Sequence, residues 1–200
     1  IVGPQPDEAL KVIEDVAARL GAPLFMYGQH WHVAEERGRL IFQDDNGLVD
    51  LPLPALIGDH QIMNAGAAIA ALRFLGADDS GLEAAMRDAQ WPARMQRLRK
   101  GPLVTTAPQI ELWLDGGHNA AAGIALAKVL ADLPVRPTHL ICGMLNTKDI
   151  LGYLGPLATQ ADSLTAVSIP DEVNTRPAHE TEAAAKAVGM QATSTATVAE

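Results

Sequence analysis

From residue 110 onward the sequence alternates between two hydrophobic rhythms, and that alternation constrains the fold more than anything else in the chain. A short apolar run, Ile110-Glu111-Leu112-Trp113-Leu114, ends at Asp115, Gly116 and Gly117 follow, and a nearly all-apolar stretch fills 120–133. Strand, tight turn and helix in that order put the side chains of 115–119 at the carboxyl end of a strand, where open α/β sheets bind ligands. Two glycines allow backbone shapes closed to other residues and let a ligand come close. Asn119 is placed to cap the helix, whose free first-turn amides attract anions. The pattern recurs: 138–142 leads to a helix over about 149–158, 164–169 to a helix over about 178–188, and 190–193 begins another strand. Helices between strands predict parallel pairing through right-handed crossovers.

The first half reads differently. Pro6, Asp7 and Glu8 suit a first helical turn, Ala9, Val12, Ile13, Val16, Ala17 and Leu20 keep helical spacing, and Gly21 supplies the stop. Between Pro23 and Pro54 come short runs (24–27, 31–34, 40–43 and 48–53), with Asn46-Gly47 as a hairpin signal between the last two. A second helix opens at Gly58-Asp59 and carries Ile62, Ala65, Ile69 and Leu72 on one face. A third follows the caps Asp78, Asp79 and Ser80 with Leu82, Ala85, Met86 and Ala89. Trp91-Pro92-Ala93-Arg94 breaks it, and the basic stretch to Lys100 with Gly101-Pro102 reads as a boundary. Ile1-Val2 reads as the end of a buried strand.

Composition narrows the function classes. At 48% hydrophobic residues the chain can bury a core, and with aromatics at 4% that core is aliphatic. A formal charge of -9 argues against nucleic acid, whose binding rests on neutralising phosphates. One cysteine, Cys142, excludes an internal disulfide framework and fits a reducing, cytoplasmic setting. No apolar run reaches the roughly 20 residues that span a bilayer.

Four stretches in order resemble the signatures of the folate-type Mur ligases, the dihydrofolate synthase/folylpolyglutamate synthase family. They are Gly58-Asp59-His60-Gln61-Ile62-Met63-Asn64-Ala65, then Trp91-Pro92-Ala93-Arg94-Met95-Gln96, where the family often has glycine in place of Ala93. Asp115-Gly116-Gly117-His118-Asn119 and the weaker Gly143-Met144-Leu145 with Lys148-Asp149 follow. His60-Gln61 favours the folate branch over the cell-wall branch, which usually carries His-Asn there. Ala120 replaces a proline common after the third motif. The resemblance implies a Mur-ligase-type α/β fold. In it, 1–92 is the rear of an ATP-binding domain (helices and a small antiparallel sheet), 93–101 a linker, and 102–200 a Rossmann-like, mostly parallel glutamate-ligase domain.

It also implies an enzyme that uses ATP and Mg2+ to join L-glutamate to dihydropteroate or folate through an acyl phosphate, with a monomer as the expected form. Carried over residue by residue, Asn64 and Arg94 contact ATP, Arg94 at the phosphates, Asp115 holds the ribose hydroxyls, and His118 lies near the reacting carboxylate and the incoming glutamate. Each has a plainer reading: a helix-surface asparagine, a solvated arginine, an acid capping its turn, a structural histidine. Lys148 reads as an anion-steering or simple surface lysine. His30 and His32 flank Trp31 without the further ligands a metal site needs. No Gly-x-x-x-x-Gly-Lys-Ser/Thr loop occurs in the 200 residues. The resemblance places that phosphate-binding loop, the magnesium ligands and a modified lysine in an amino-terminal part, so the metal has no ligands here and the 200 residues alone are expected to be inactive. The alternatives are another Mur-type amino-acid ligase and a non-catalytic nucleotide- or anion-binding module.

Overall fold

A computed structural model describes residues 1–198. The chain divides into two compact units, Ile1–Trp91 and a second from Pro92 onward.

In the first unit, α1 (Asp7–Leu20) starts after Pro6 and ends at Gly21, whose φ of 65° lets its amide return to the carbonyls of Ala17 and Ala18. Val2 forms only an isolated parallel bridge with Met26, so the strand end expected at Ile1-Val2 is not formed as a strand. The run at 24–27 contributes only bridges, not a strand. β1 (Trp31–Glu36), β2 (Arg39–Asp44) and β3 (Gly47–Pro52) form an antiparallel meander. The β1–β2 loop is Arg37-Gly38, both with positive φ, as a tight hairpin turn demands. In the β2–β3 hairpin Asp44 faces Gly47, so the turn residues are Asp45-Asn46, one position earlier than Asn46-Gly47. Asp44 causes the offset, because its carboxylate accepts the Asn46 amide. Alternate strand residues (Trp31, Val33, Leu40, Phe42, Val49, Leu51) are buried against Ala65, Ile69 and Ala70 of α2 (His60–Phe74) and Leu82 and Met86 of α3 (Asp79–Asp88). Gly66 permits that packing: a Cβ there would meet Val33 Cγ1 at 2.5 Å and Trp31 Cζ3 at 2.8 Å.

The second unit opens with a departure from the sequence reading. Residues 96–98, within the stretch read as a linker, form β4 (Gln96–Leu98), and a short helix α4 (Pro102–Thr106) follows. β5 (Leu112–Leu114) pairs antiparallel with β4 instead of extending the parallel sheet. The parallel sheet has the order β6-β7-β8, from β6 (His139–Cys142), β7 (Ser163–Ala166) and β8 (Ala192–Ser194). Its connections are α6 (Ile150–Leu154) and α7 (Ala178–Ala187). α6 is shorter than the 149–158 reading because Gly155-Pro156 tightens the chain into a single 3-10 turn. α5 (Ala120–Asp132) buries Leu126 and Val129 with Tyr153, Leu154, Leu157, Leu164 and Ala185 in one aliphatic core. The fold is therefore mixed α/β, and among the described residues parallel pairing of whole strands is confined to β6–β8.

Candidate functional site

The ribbon of β4 and β5 ends in two turns bonded to each other. Gln96 faces Leu114 in register. Beyond that pair, the Gly116 amide donates to the Ala93 carbonyl at 2.9 Å. Asp115 closes the arrangement: one carboxylate oxygen accepts the Met95 amide at 2.9 Å, the other the Gly117 amide at 2.7 Å. Arg94 sits at the tip, its Nη1 donating to the Ala93 carbonyl at 3.1 Å. Met95 is the anchor, with 6% exposure in the core of the second unit.

Neither Gly116 nor Gly117 has a positive φ, so they are not glycines for conformational freedom. Space explains them. A Cβ on Gly116 would lie 3.0 Å from Arg94 Nη1; one on Gly117 would lie 2.9 Å from an Asp115 oxygen and 3.0 Å from the Tyr153 ring. Tyr153 is buried beneath the turn, and burial first, then Cys142 and Asp115 nearby, push its phenol pKa up. It stays protonated.

His118 is exposed, and its Nδ1 lies 3.0 Å from the Gly116 carbonyl. A carbonyl only accepts, so Nδ1 carries the proton, and in the neutral ring the lone pair is on Nε2. Asn119 caps α5 as its residue type predicts, accepting the Ala122 amide at 2.9 Å. Arg94, Asp115, His118 and the first turn of α5 thus gather in one place: a guanidinium, a carboxylate, an imidazole nitrogen and a helix N-terminus. The combination suits an anionic ligand carrying hydroxyls.

Asn64 lies on α2 of the first unit, exposed. Its Nδ2 donates to Gln61 Oε1 at 3.0 Å, and Gln61 Nε2 in turn donates to His60 Nε2. Gln61 is 5% exposed, a buried polar residue that orients Asn64. Its i, i+3 spacing from Asn64 on a helix was the available signal. Sequence reasoning also missed Arg176. Its Nη2 donates to the carbonyls of Asn146 at 3.1 Å and Lys148 at 3.2 Å, and its backbone amide to Met144. That grip holds the loop after β6. Lys148 itself is half-buried. Cys142 is half-buried, and desolvation raises its thiol pKa to about 11, which makes it inert packing. His30 accepts the Met26 amide through Nδ1. Among the described residues no group of three or more His, Cys, Asp or Glu could hold a metal ion, and no helix is long and apolar enough to cross a membrane.

The α/β unit built on this double turn, with the meander and two helices before it, matches the Mur-ligase-type fold of solved FolC proteins. No protein-family model matches the chain. A probable bifunctional folylpolyglutamate synthase/dihydropteroate synthase of Halobacterium salinarum is 32% identical over 117 residues, 58% of this chain and 13% of the relative. Escherichia coli FolC, solved in complex with DHPP and ADP, is 27% identical with a TM-score of 0.78, over 94% of this chain and 42% of that one. A bifunctional folylpolyglutamate synthase/dihydrofolate synthase solved with Mn, AMPPNP and L-glutamate is 25% identical, TM-score 0.76, over 92% and 43%. The chain is thus similar to folylpolyglutamate and dihydrofolate synthases and spans less than half the length of these relatives.

Proposed function

We propose that the chain is part of an ATP-dependent ligase that joins L-glutamate to dihydropteroate, folate or both. The observation that carries this reading is the convergence of Arg94, Asp115, His118 and the α5 N-terminus on one double turn. It is supported by relatives solved with ADP, with AMPPNP and with L-glutamate.

In this reading Arg94 neutralises charge on the ATP phosphates and Asp115 accepts bonds from the ribose hydroxyls. A carboxylate has about four acceptor sites, so two remain beyond the Met95 and Gly117 amides. Asn64, on the first unit, is the other nucleotide contact. The γ-phosphoryl group moves to the substrate carboxylate, giving ADP and an acyl phosphate. Positioning and charge neutralisation are most of what such a transfer asks of a protein. The glutamate amine then attacks the acyl carbon, the C–O bond to phosphate breaks, and an amide forms. His118 Nε2, its lone pair fixed by the Nδ1 bond to Gly116, is the acceptor for the proton the amine sheds. Mg2+ would supply further neutralisation of phosphate charge; the resemblance assigns its ligands and the phosphate-binding loop to an amino-terminal part. The 200 residues alone are then inactive.

The test is glutamate-dependent phosphate release by the full-length protein, with dihydropteroate, folate and a UDP-sugar acid as competing substrates. Turnover on the pterins with background activity for the 200-residue chain fits the proposal. Turnover only on the UDP-sugar substrate makes it another Mur-type ligase, and none at all leaves a binding module.

A further inference from the structure

We infer that Asp115 is the positioning residue that sets Arg94, beyond any contact it makes with ribose. The catalytic meaning of this rests on the function proposed above; the structural claim does not. Arg94 is flanked by two non-glycine residues in the left-handed region, Ala93 at φ 55° and Met95 at φ 43°. Such conformations persist only where the surroundings over-determine them. What over-determines them here is Asp115. Its two oxygens accept the amides of Met95 and Gly117, so one side chain ties the Arg94 turn to the glycine turn. Met95, sunk in the core, fixes one side of Arg94. On the other side the Ala93 carbonyl accepts both the Gly116 amide and Arg94 Nη1. Gly116 completes the device, because a side chain there would crowd Nη1 at 3.0 Å. The arginine's place is thus prepared before any ligand arrives, which saves ordering a long side chain during binding.

Asp115→Asn keeps one acceptor oxygen and turns the other into a donor that faces an amide. The experiment measures amide hydrogen exchange in the 200-residue chain, together with binding of inorganic tripolyphosphate, a phosphate mimic without ribose. In D115N the Met95 or Gly117 amide exchanges about tenfold faster, the factor for one lost hydrogen bond, while Leu126 and Val129 keep their protection and report an intact core. Tripolyphosphate binding weakens as it does in R94A, and the double variant loses no more than R94A alone. Gly116→Ala, which leaves both Asp115 bonds in place, weakens tripolyphosphate binding without faster Met95 exchange. The inference is overturned if D115N leaves Met95 and Gly117 exchange and tripolyphosphate binding at wild-type values, as a ribose-only contact requires. If the wild-type chain ignores tripolyphosphate while D115N still frees the Met95 amide, the positioning role stands and the phosphate-binding part of the proposed function falls.

Discussion

Gly123→Ala sets two effects against each other. Gly123 is buried in α5, where its face meets the backbone of Tyr153 in α6. On helix propensity alone the substitution gains about 1 kcal/mol. The added Cβ, however, would fall inside van der Waals reach of the Tyr153 carbonyl oxygen and 3.0 Å from its carbonyl carbon and Cα. Backbone cannot rotate aside as a side chain does, so the crowding belongs near the top of the overpacking range, about 3 kcal/mol. The net is a destabilisation of about 2 kcal/mol, which at a slope near 2 kcal/mol per molar urea lowers the midpoint by about 1 M. The assay is urea unfolding followed by labelling of Cys142, the only cysteine, which reports on the second unit alone. Gly155→Ala is the control, since its Cβ meets nothing within 4 Å and its helical φ suits alanine. A G123A chain as stable as wild type, or more so, would refute the close-contact argument.

Asn119→Ala removes the α5 cap and costs about 1 kcal/mol, while Asn119→Asp costs little, measured as the same urea midpoint. Cys142 follows from burial: with its pKa near 11 against about 9 when unfolded, the native thiol stays protonated where the unfolded one ionises. Its contribution is therefore complete below pH 9 and declines between pH 9 and 11; a second unit whose urea midpoint did not fall across that window, relative to C142A, would contradict it. Leu164→Ala, at 1% exposure in the core of the second unit, costs about 2–5 kcal/mol in the same assay.

The sequence was most readable where a single residue carries a local instruction. Gly21, Asp78 and Asn119 end or begin helices where their chemistry says they do. It was least readable where a distant partner decides. β4 is three residues in a polar stretch with no apolar alternation, and only its pairing with β5 makes it a strand. For the same reason β5, read as part of the parallel sheet, sits in an antiparallel ribbon. The 24–27 run looks strand-like in composition but finds only isolated bridges. At the site, the family resemblance pointed to Arg94, Asp115 and His118, yet nothing in their spacing revealed that Asp115 is bonded to the Met95 amide across 20 positions. The plainer reading, an acid capping its turn, describes that geometry, and the ribose role is a proposal added to it. Gly116 and Gly117, expected to give backbone freedom and close approach of a ligand, have no positive φ, and what a Cβ would disturb is the Arg94 tip at Gly116 and the Asp115 carboxylate and Tyr153 ring at Gly117.

The account turns on where an adenine nucleotide sits. Crystals of the full-length protein grown with a non-hydrolysable ATP analogue measure that directly. The prediction is the Arg94 guanidinium on the phosphates, an Asp115 oxygen within hydrogen-bond distance of a ribose hydroxyl, and the Met95 and Gly117 amides still bonded to the same carboxylate. A nucleotide bound away from this turn, with Arg94 still resting on the Ala93 carbonyl, would contradict it.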